Sequence, residues 1–466
     1  MKSFSLREHI PSILVATLGA TFGVALLLGV NALMVLIGAD AVTGESNTVA
    51  VLLGVVAWVF ITIAIYVSAV VTANTFATII AGRTRTIALL RLIGASAADQ
   101  RRAVAREGFI VGGVGAIAGT LLGTGIVAGM MSTLVALGIV EDLPFSYVDP
   151  VVILPVVAVV LTTWLASWVG SRRVLTVSPM EATGAATEQT REETTARTGR
   201  NAAAIVLFTV GIGILLLGVA VGLVSPFGVL IGLVGGLLSF TGLVLGAHLV
   251  MPPALRLVGR AFGSSASAKL AAENAVRYPE RSSRTTIGLV IGITLVTMFA
   301  VAINSYQSMI YQAQASDPEY YAGVDTMLVI TVVVFSVLTG FSALIAAVGM
   351  VNNLSLSVLQ RTRELGLLRA LGFTGRQVRT MILAESAQLT AASVLVGLTL
   401  GIFYGWAGAQ SLLGSINGGP GLVVPTVPLA LIAVIVVAAV ILTVAASTAP
   451  SRRATRVAPV VALAVD

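Results

Sequence analysis

The sequence predicts an all-α polytopic membrane protein with ten transmembrane helices, arranged as two tandem four-helix units joined by a two-helix hairpin. Three observations lead to this prediction. The 466 residues are 57% hydrophobic and only 10% charged, whereas soluble domains carry about 25% charged residues. Ten long apolar runs alternate with short polar segments, and two parts of the chain repeat each other.

The ten apolar runs are long enough to cross a hydrocarbon core of about 30 Å, which needs about 20 helical residues. The first run is much longer than the apolar core of a secretory signal, so we expect it to stay in the protein as a span. The expected spans lie near residues 11–38, 50–80, 108–137, 151–170, 202–224, 228–251, 285–312, 325–358, 386–412 and 427–449.

The basic residues predict how these spans are oriented. The 27 Lys and Arg fall into six groups, and each group follows an even number of spans. Basic residues stay on the cytoplasmic side of a membrane, so we expect both termini to be cytoplasmic. The groups are Lys2 with Arg7, and the basic residues of 83–106, 172–200, 256–284, 361–379 and 452–456.

The most charged helical segment, residues 361–385, has a twin at residues 83–107. At an offset of 278 positions the two segments share nine of 25 residues without a gap. A second match, between residues 171–182 and 451–462 at an offset of 280, follows the last span of each unit. The matched residues of the charged segments are Arg83, Thr84, Arg85, Leu89, Leu90, Arg91, Gly94, Arg101 and Glu107 with Arg361, Thr362, Arg363, Leu367, Leu368, Arg369, Gly372, Arg379 and Glu385.

The repeat predicts the domain organisation. A first four-span unit covers residues 1–182 and a second covers residues 285–466. Each unit has four spans and both units face the same way, so the chain between them crosses the membrane an even number of times, and two apolar runs lie there. We therefore expect a cytoplasmic linker at 183–201, a connector hairpin at 202–251 with a tight outer turn at Ser225–Phe227, and a cytoplasmic amphipathic elbow at 252–284. In this elbow Pro279 is expected to break the helix before the seventh span.

The second and eighth spans are longer than the bilayer requires, so we expect their inner ends to project into the cytoplasm as stalks before the charged segments. Asn74 and Asn352 match near the inner ends of the stalks. They are candidates for a helix–helix hydrogen bond, or for a pair of hinges. In the third span, Gly115, Gly119 and Gly123, followed by Gly125 and Gly129, predict close helix packing.

Several kinds of chemistry are excluded by the residues that the sequence lacks. It contains no Cys and only two His, which are 239 positions apart, so we expect no metal site and no catalytic triad. Its two Lys lie outside any GxxxxGK[ST] phosphate loop. No Asp, Glu, Lys or Arg lies in the middle of a span, where ion-coupled carriers place such groups. We therefore expect no catalytic residue, no cofactor bound by this chain and no nucleic-acid partner.

The segment from Arg363 to Gly372, the terminal Ser-Arg-Arg…Pro pattern from Ser451 to Pro459, and Asn274-x-x-Arg277-x-Pro279-x-Arg281 resemble the motifs of the FtsX-like permeases. These are membrane subunits of type VII ABC transporters, such as macrolide exporters, lipoprotein extractors and bacitracin-resistance permeases. The first copy of the charged motif departs from the pattern, with Thr86 and Ala88 in place of Glu364 and Gly366.

The resemblance implies a bacterial cytoplasmic membrane protein whose cytoplasmic coupling helices dock on a dimer of ATPase subunits, which bind ATP and Mg. An alternative interpretation of the same basic segments is contact with anionic membrane lipid. The residues implied in docking are Arg83, Arg85, Leu89, Leu90, Arg91 and Gly94 in the first segment, and Arg361, Arg363, Glu364, Leu367, Leu368, Arg369 and Gly372 in the second.

The outer loops are short, whereas the family usually carries a large extracytoplasmic domain. The loop after the first span has 11 residues, which cannot form such a domain. We therefore expect export of an amphipathic or hydrophobic compound from the membrane: an antimicrobial peptide, a drug, haem or a lipid. Two alternatives stay open: a non-transporting subunit that relays ATPase motion to an outer partner, and a secondary carrier.

Overall fold

The computed structural model is entirely helical in the part of the chain that it describes. The described residues are 6–39, 84–138, 144–147, 149–171, 198–261, 279–318, 369–416 and 421–456, with Glu273, Leu367, Gly419 and scattered helical positions between 54 and 74 and between 328 and 344.

Eleven helices make up the architecture described. We number them α1 (Leu6–Ala39), α2 (Ile61–Val71), α3 (Thr84–Leu92), α4 (Ala97–Ala136), α5 (Ile153–Gly170), α6 (Thr198–Gly222), α7 (Gly228–Leu245), α8 (Ala247–Gly259), α9 (Pro279–Ser316), α10 (Gly375–Leu413) and α11 (Leu429–Arg456).

Seven of these helices are long and apolar enough to cross a membrane, namely α1, α4, α5, α6, α7, α9 and α10. Two shorter apolar helices, α2 and the first part of α11, lie where the second and tenth spans are predicted. The predicted eighth span falls mostly outside the described residues. The protein is therefore an α-helical polytopic membrane protein, and the count of ten spans stays a prediction.

The two central helices, α1 and α9, are almost wholly buried, although both are apolar enough to face lipid. Their side chains belong to one large core cluster, which also takes in residues of α2, α7 and α10. The rings of Phe22 in α1 and Phe299 in α9 are 6.1 Å apart between centroids. The two predicted units therefore share a core instead of packing as separate bundles.

Close glycine contacts join the helices within each half of the chain. A Cβ on Gly115 or Gly119 of α4 would lie 2.5 Å from the Cβ of Ala16 or Ala20 in α1. In the second half, a Cβ on Gly401 of α10 would lie 2.4 Å from Thr297 Cβ in α9. Because the helix backbones touch, each contact requires a glycine.

The prediction of close packing is wrong for Gly125 and Gly129. A Cβ built on either residue meets no described atom within 4 Å. With 3.6 residues per turn, Gly115, Gly119 and Gly123 lie along one face of α4. The step of two residues from Gly123 to Gly125 rotates the next pair of glycines by about 200°, away from α1.

The helix of the seventh span begins at Pro279, six residues before the predicted 285. Pro279 is the first residue of α9, which continues without a break to Ser316. Proline is well tolerated at a helix start, because its missing N–H would have no partner there. The turn Ser225–Phe227, by contrast, lies between α6 and α7 as the sequence predicts.

Candidate functional site

The matched charged segments form two turns of the same design. In the first, α3 ends at Leu92 and α4 begins at Ala97, with Ile93 to Ser96 between them. In the second, the helical residues around Leu367–Ala370 precede a turn at Leu371 and Gly372, and α10 begins at Gly375. Each turn therefore leads from helical residues into a helix of about 40 residues, α4 or α10.

A glycine in a left-handed conformation makes each turn. The φ angle is +99° at Gly94 and +100° at Gly372. After α3, the Ala95 N–H donates to the Leu90 carbonyl (2.9 Å) across this glycine, which is the helix-ending hydrogen bond of a Schellman motif. In the second turn the Leu371 N–H donates to the Leu367 carbonyl at 2.9 Å.

Side-chain caps begin the helix that follows each turn. The Asp99 N–H donates to the Ser96 hydroxyl at 3.0 Å. The Gln377 N–H donates to Thr374 Oγ1 (3.2 Å), and the Thr374 N–H donates back to Gln377 Oε1 (2.9 Å), which completes a capping box. Each cap satisfies a backbone donor that has no partner within its helix, so the direction of the helix is fixed at the turn.

Apolar side chains at the two turns are exposed. Ile93 is 82% exposed and Leu371, its counterpart at the offset of 278, is 70% exposed. Leu89 and its counterpart Leu367 are also about half exposed. On the other side of α3, Ala88 is buried, so one face of the helix packs on the protein and the other does not. Exposed apolar side chains that cluster can mark a contact with another protein or with a membrane.

The predicted docking residues fall into three groups. Leu89, Leu90 and Gly94 lie at the first turn, and Leu367, Arg369 and Gly372 lie at the second. Arg85 and Arg91 are in α3, but their side chains are outside the description. Arg83, Arg361, Arg363, Glu364 and Leu368 lie outside the described residues. Docking itself therefore stays a prediction for all of these residues.

The pairing predicted for the hinge candidates stays a prediction. Asn74 is half-buried in a helical position, and Asn352 lies outside the described part of the chain. The docking residues predicted from the sequence do not include Ile93 and Leu371. The signal that would have found them is their match at the offset of 278, directly before a glycine that ends a helix.

Arg101 has a structural role beside the first turn. Its guanidinium carbon lies 4.5 Å from the centroid of the Trp168 ring. Its side chain also donates to the Ser171 hydroxyl (3.4 Å) and to the Trp168 carbonyl (3.3 Å) at the end of α5. A cation at a helix C-terminus is stabilised by the helix dipole, so Arg101 attaches the start of α4 to α5.

The described residues contain no group of three His, Asp or Glu that could hold a metal ion. The two turns present two similar exposed apolar side chains, Ile93 and Leu371, beside basic residues. We call these two side chains the apolar tips. Such tips can bind a protein, but they carry no arrangement of residues for acid–base or nucleophilic chemistry.

Comparisons with known proteins match this part of the chain. The family model described as "FtsX-like permease C-terminal" matches residues 58–179 and 336–459, together more than half of the sequence. The two matched segments are consistent with tandem units, and each contains one of the glycine turns.

Two curated proteins are similar over shorter segments. One, from Bacillus subtilis (strain 168), is named "Uncharacterized ABC transporter permease YknZ" and is 37% identical over 105 residues, which is 22% of this chain and 25% of that protein. The other, from Methanocaldococcus jannaschii, is named "Uncharacterized ABC transporter permease MJ1507" and is 36% identical over 80 residues, 17% of this chain and 18% of that protein. The matches thus span a quarter or less of each relative.

Proposed function

Because this chain belongs to the FtsX-like permease family, we propose that it is the permease subunit of a type VII ABC exporter, driven by ATP hydrolysis in a separate dimer of ATPase subunits. The observation that carries the proposal is the pair of matched turns, each with an exposed apolar tip. Two like surfaces on one chain suit a partner that is itself two-fold, such as a dimer.

In this proposal the apolar tips enter pockets of the ATPase subunits and the basic side chains surround them. Fully burying a Leu or Ile side chain contributes about 1.5–3 kcal/mol, so Ile93 and Leu371 would supply much of the affinity. The left-handed glycine and the helix cap behind each tip fix its direction. ATP and Mg²⁺ bind to the partner, and this chain acts as a membrane subunit without catalytic residues.

The proposed arrangement has ten spans in the bacterial cytoplasmic membrane, with both termini and both turns on the cytoplasmic side. Seven long apolar helices and two shorter ones support this count. The distribution of basic residues supports the orientation, because every group follows an even number of predicted spans.

We propose an amphipathic or hydrophobic compound as the exported substrate. The end of α10 that lies far from its glycine turn is covered by a short loop. From α10 the Trp406 indole N–H donates to the Val423 carbonyl of this loop (2.6 Å), and the Gln410 amide donates to the Gly421 carbonyl and accepts from the Val423 N–H. The loop is thus short and held on α10, and in this proposal the substrate enters from the bilayer, where amphipathic molecules accumulate.

The experiment is purification of the chain together with the ATPase encoded nearest to its gene, followed by reconstitution into vesicles. We expect the two proteins to purify as a complex, and we expect ATP-dependent export of a fluorescent amphipathic peptide. An ATPase activity that is indifferent to this chain would contradict the proposal. A stable complex that stimulates hydrolysis but moves no probe would instead support a subunit that only relays motion.

A further inference from the structure

The connector hairpin of α6 and α7 is packed as a rigid plate. A Cβ on Gly211 would lie 2.2 Å from the backbone nitrogen of Ser239, and one on Gly235 would lie 2.2 Å from that of Leu215. Gly218 and Gly242 make similar backbone contacts across the hairpin. Because the two backbones touch along their length, α6 and α7 cannot slide past each other without breaking several contacts together.

Three consecutive residues of α7 join this plate to both halves of the protein. Thr241 pairs with Tyr66 of α2 through their hydroxyl oxygens, 2.8 Å apart. Ser239 pairs with Tyr404 of α10 in the same way, 2.9 Å apart. The Phe240 ring lies between the tyrosines, with centroids 6.2 Å from Tyr66 and 6.1 Å from Tyr404 in edge-to-face geometry.

The direction of the two hydroxyl pairs follows from the backbone. The Thr241 hydroxyl donates to the Leu237 carbonyl (2.7 Å), and the Ser239 hydroxyl donates to the Gly236 carbonyl (3.0 Å). Each hydroxyl has a single proton. The Tyr66 and Tyr404 hydroxyls must therefore donate to α7, and α7 receives one hydrogen bond from each half of the chain.

At the repeat-related positions the two tyrosines are replaced by apolar residues. The counterpart of Tyr66 at the offset of 278 is Leu344, which is 54% exposed. The counterpart of Tyr404 is Ile126, an apolar residue of α4. The hairpin also touches α10 at a further place, because a Cβ on Gly222 would lie 2.5 Å from the Ser411 Cα. In the described residues, the hairpin is therefore attached to α2 and α10.

We propose that α7 is a strut that makes α2 of the first unit and α10 of the second unit move as one body, while the repeat-related pair of helices moves independently. The inference rests on the proposed function only for the source of the motion, which is ATPase docking at the first turn. The strut itself is a property of the permease, and its stiffness is measurable without any partner.

The test uses spin labels and pulsed electron paramagnetic resonance on the full-length chain in lipid nanodiscs. The chain has no Cys, so labels attach only at introduced cysteines. One pair, at Trp58 and Leu395, reports on the strut side. Its counterpart at the offset of 278, at Ser336 and Ile117, reports on the other side, and all four positions are exposed.

We expect a narrow distance distribution for the 58/395 pair and a distribution at least twice as wide for the 336/117 pair. Phe240→Ala should broaden the 58/395 distribution to the width of the 336/117 distribution. It should leave the 336/117 distribution unchanged. Phe208→Ala removes the same ring from the same hairpin, but from a place that does not lie between the tyrosines, so it should broaden neither. The Tyr66→Phe/Tyr404→Phe variant, which deletes only the donated hydrogen bonds, should broaden the 58/395 distribution by an intermediate amount.

The proposal is overturned if Phe240→Ala and the double tyrosine variant both leave the 58/395 width unchanged, or if the two label pairs are equally wide from the start. Failure of the proposed function has a different signature. The chain would then bind no ATPase, while the two distance distributions would still differ as described.

Discussion

Gly94 and Gly372 lie 278 positions apart in the sequence, and their backbone φ angles are +99° and +100°. L-residues with a side chain rarely adopt this region. A Cβ built on either glycine meets no described atom within 4 Å. Crowding by neighbouring atoms therefore does not explain why glycine is present. What the two positions share is a backbone conformation, which directs the chain from a charged segment into a long capped helix.

Gly94→Ala and Gly372→Ala are therefore expected to strain the turn without a clash. A left-handed conformation costs an L-residue roughly 1–2 kcal/mol, so the turn is expected to rearrange and to redirect the apolar tip. We expect each variant to fold, with a thermal unfolding midpoint close to that of the unchanged chain, but to retain several-fold less ATPase on co-purification.

Gly125→Ala is the matched control, because Gly125 has open space and no positive φ. It should retain the ATPase fully. Gly372→Asn should retain more than Gly372→Ala, since Asn tolerates left-handed conformations better than Ala does. Full retention of the ATPase by both alanine variants would show that the turn conformation is not needed for docking.

Ile93→Asp and Leu371→Asp test the apolar tips. If each tip is buried on docking, a buried carboxylate replaces about 1.5–3 kcal/mol of favourable burial with a cost. The affinity for the ATPase should then fall at least tenfold for each variant. The measurement is a titration of the purified chain with the purified ATPase, and we expect the double variant to bind too weakly to detect.

The control for the tips is Val224→Asp. Val224 is as exposed as Ile93, but it lies in the turn between α6 and α7, beside Ser225. This variant should bind the ATPase normally. If the Val224→Asp variant loses as much affinity as the tip variants, the loss reflects disturbance of the protein and not of a docking surface.

The sequence alone predicts that the two charged segments are related, because Arg and Gly recur at one spacing in a chain where Arg is scarce. It also predicts the Ser225–Phe227 turn, where polar and proline residues interrupt two apolar runs. It does not predict that Gly94 and Gly372 each make a left-handed turn.

The sequence also does not predict that Ile93 and Leu371 are exposed, because α3 has only nine residues and such a length shows little periodicity. The pairs Tyr66–Thr241 and Ser239–Tyr404 join residues 175 and 165 positions apart, and no local pattern encodes such contacts.

Gly119→Ala tests whether backbone contact holds α1 against α4. The new Cβ would lie 2.5 Å from both Ala20 Cβ and the Thr17 carbonyl oxygen, so the helices must separate. Overpacking of this kind costs about 1–3 kcal/mol, and we expect a lower thermal unfolding midpoint for the purified chain. Gly401→Ala should behave alike, because its Cβ would meet Thr297 Cβ at 2.4 Å.

Gly125→Ala again serves as the control, since it makes the same change in the same helix where no described atom is close. Its midpoint should be unchanged or slightly raised, because Ala favours a helix over Gly by about 1 kcal/mol. If Gly119→Ala and Gly125→Ala lower the thermal unfolding midpoint equally, the destabilisation does not come from the contact with α1.

The orientation of the chain can be tested with single cysteines, again because the chain has no native Cys. We choose Ile93 and Leu371 at the two glycine turns, with Val224 and Leu422 on predicted outer loops; all four are exposed. A membrane-impermeant maleimide should label positions 224 and 422 in intact cells and label all four after permeabilisation. The reason is that the basic groups beside the two turns keep them cytoplasmic.

The outcome of this labelling also tests the number of spans. Six predicted spans separate position 93 from position 371, so the two turns must lie on the same side of the membrane. Labelling of both turns in intact cells would reverse the orientation and remove the docking proposal, because ATPase subunits work in the cytoplasm. Labelling of only one turn would require an odd number of spans between them, and a ten-span chain with two parallel units would then be wrong.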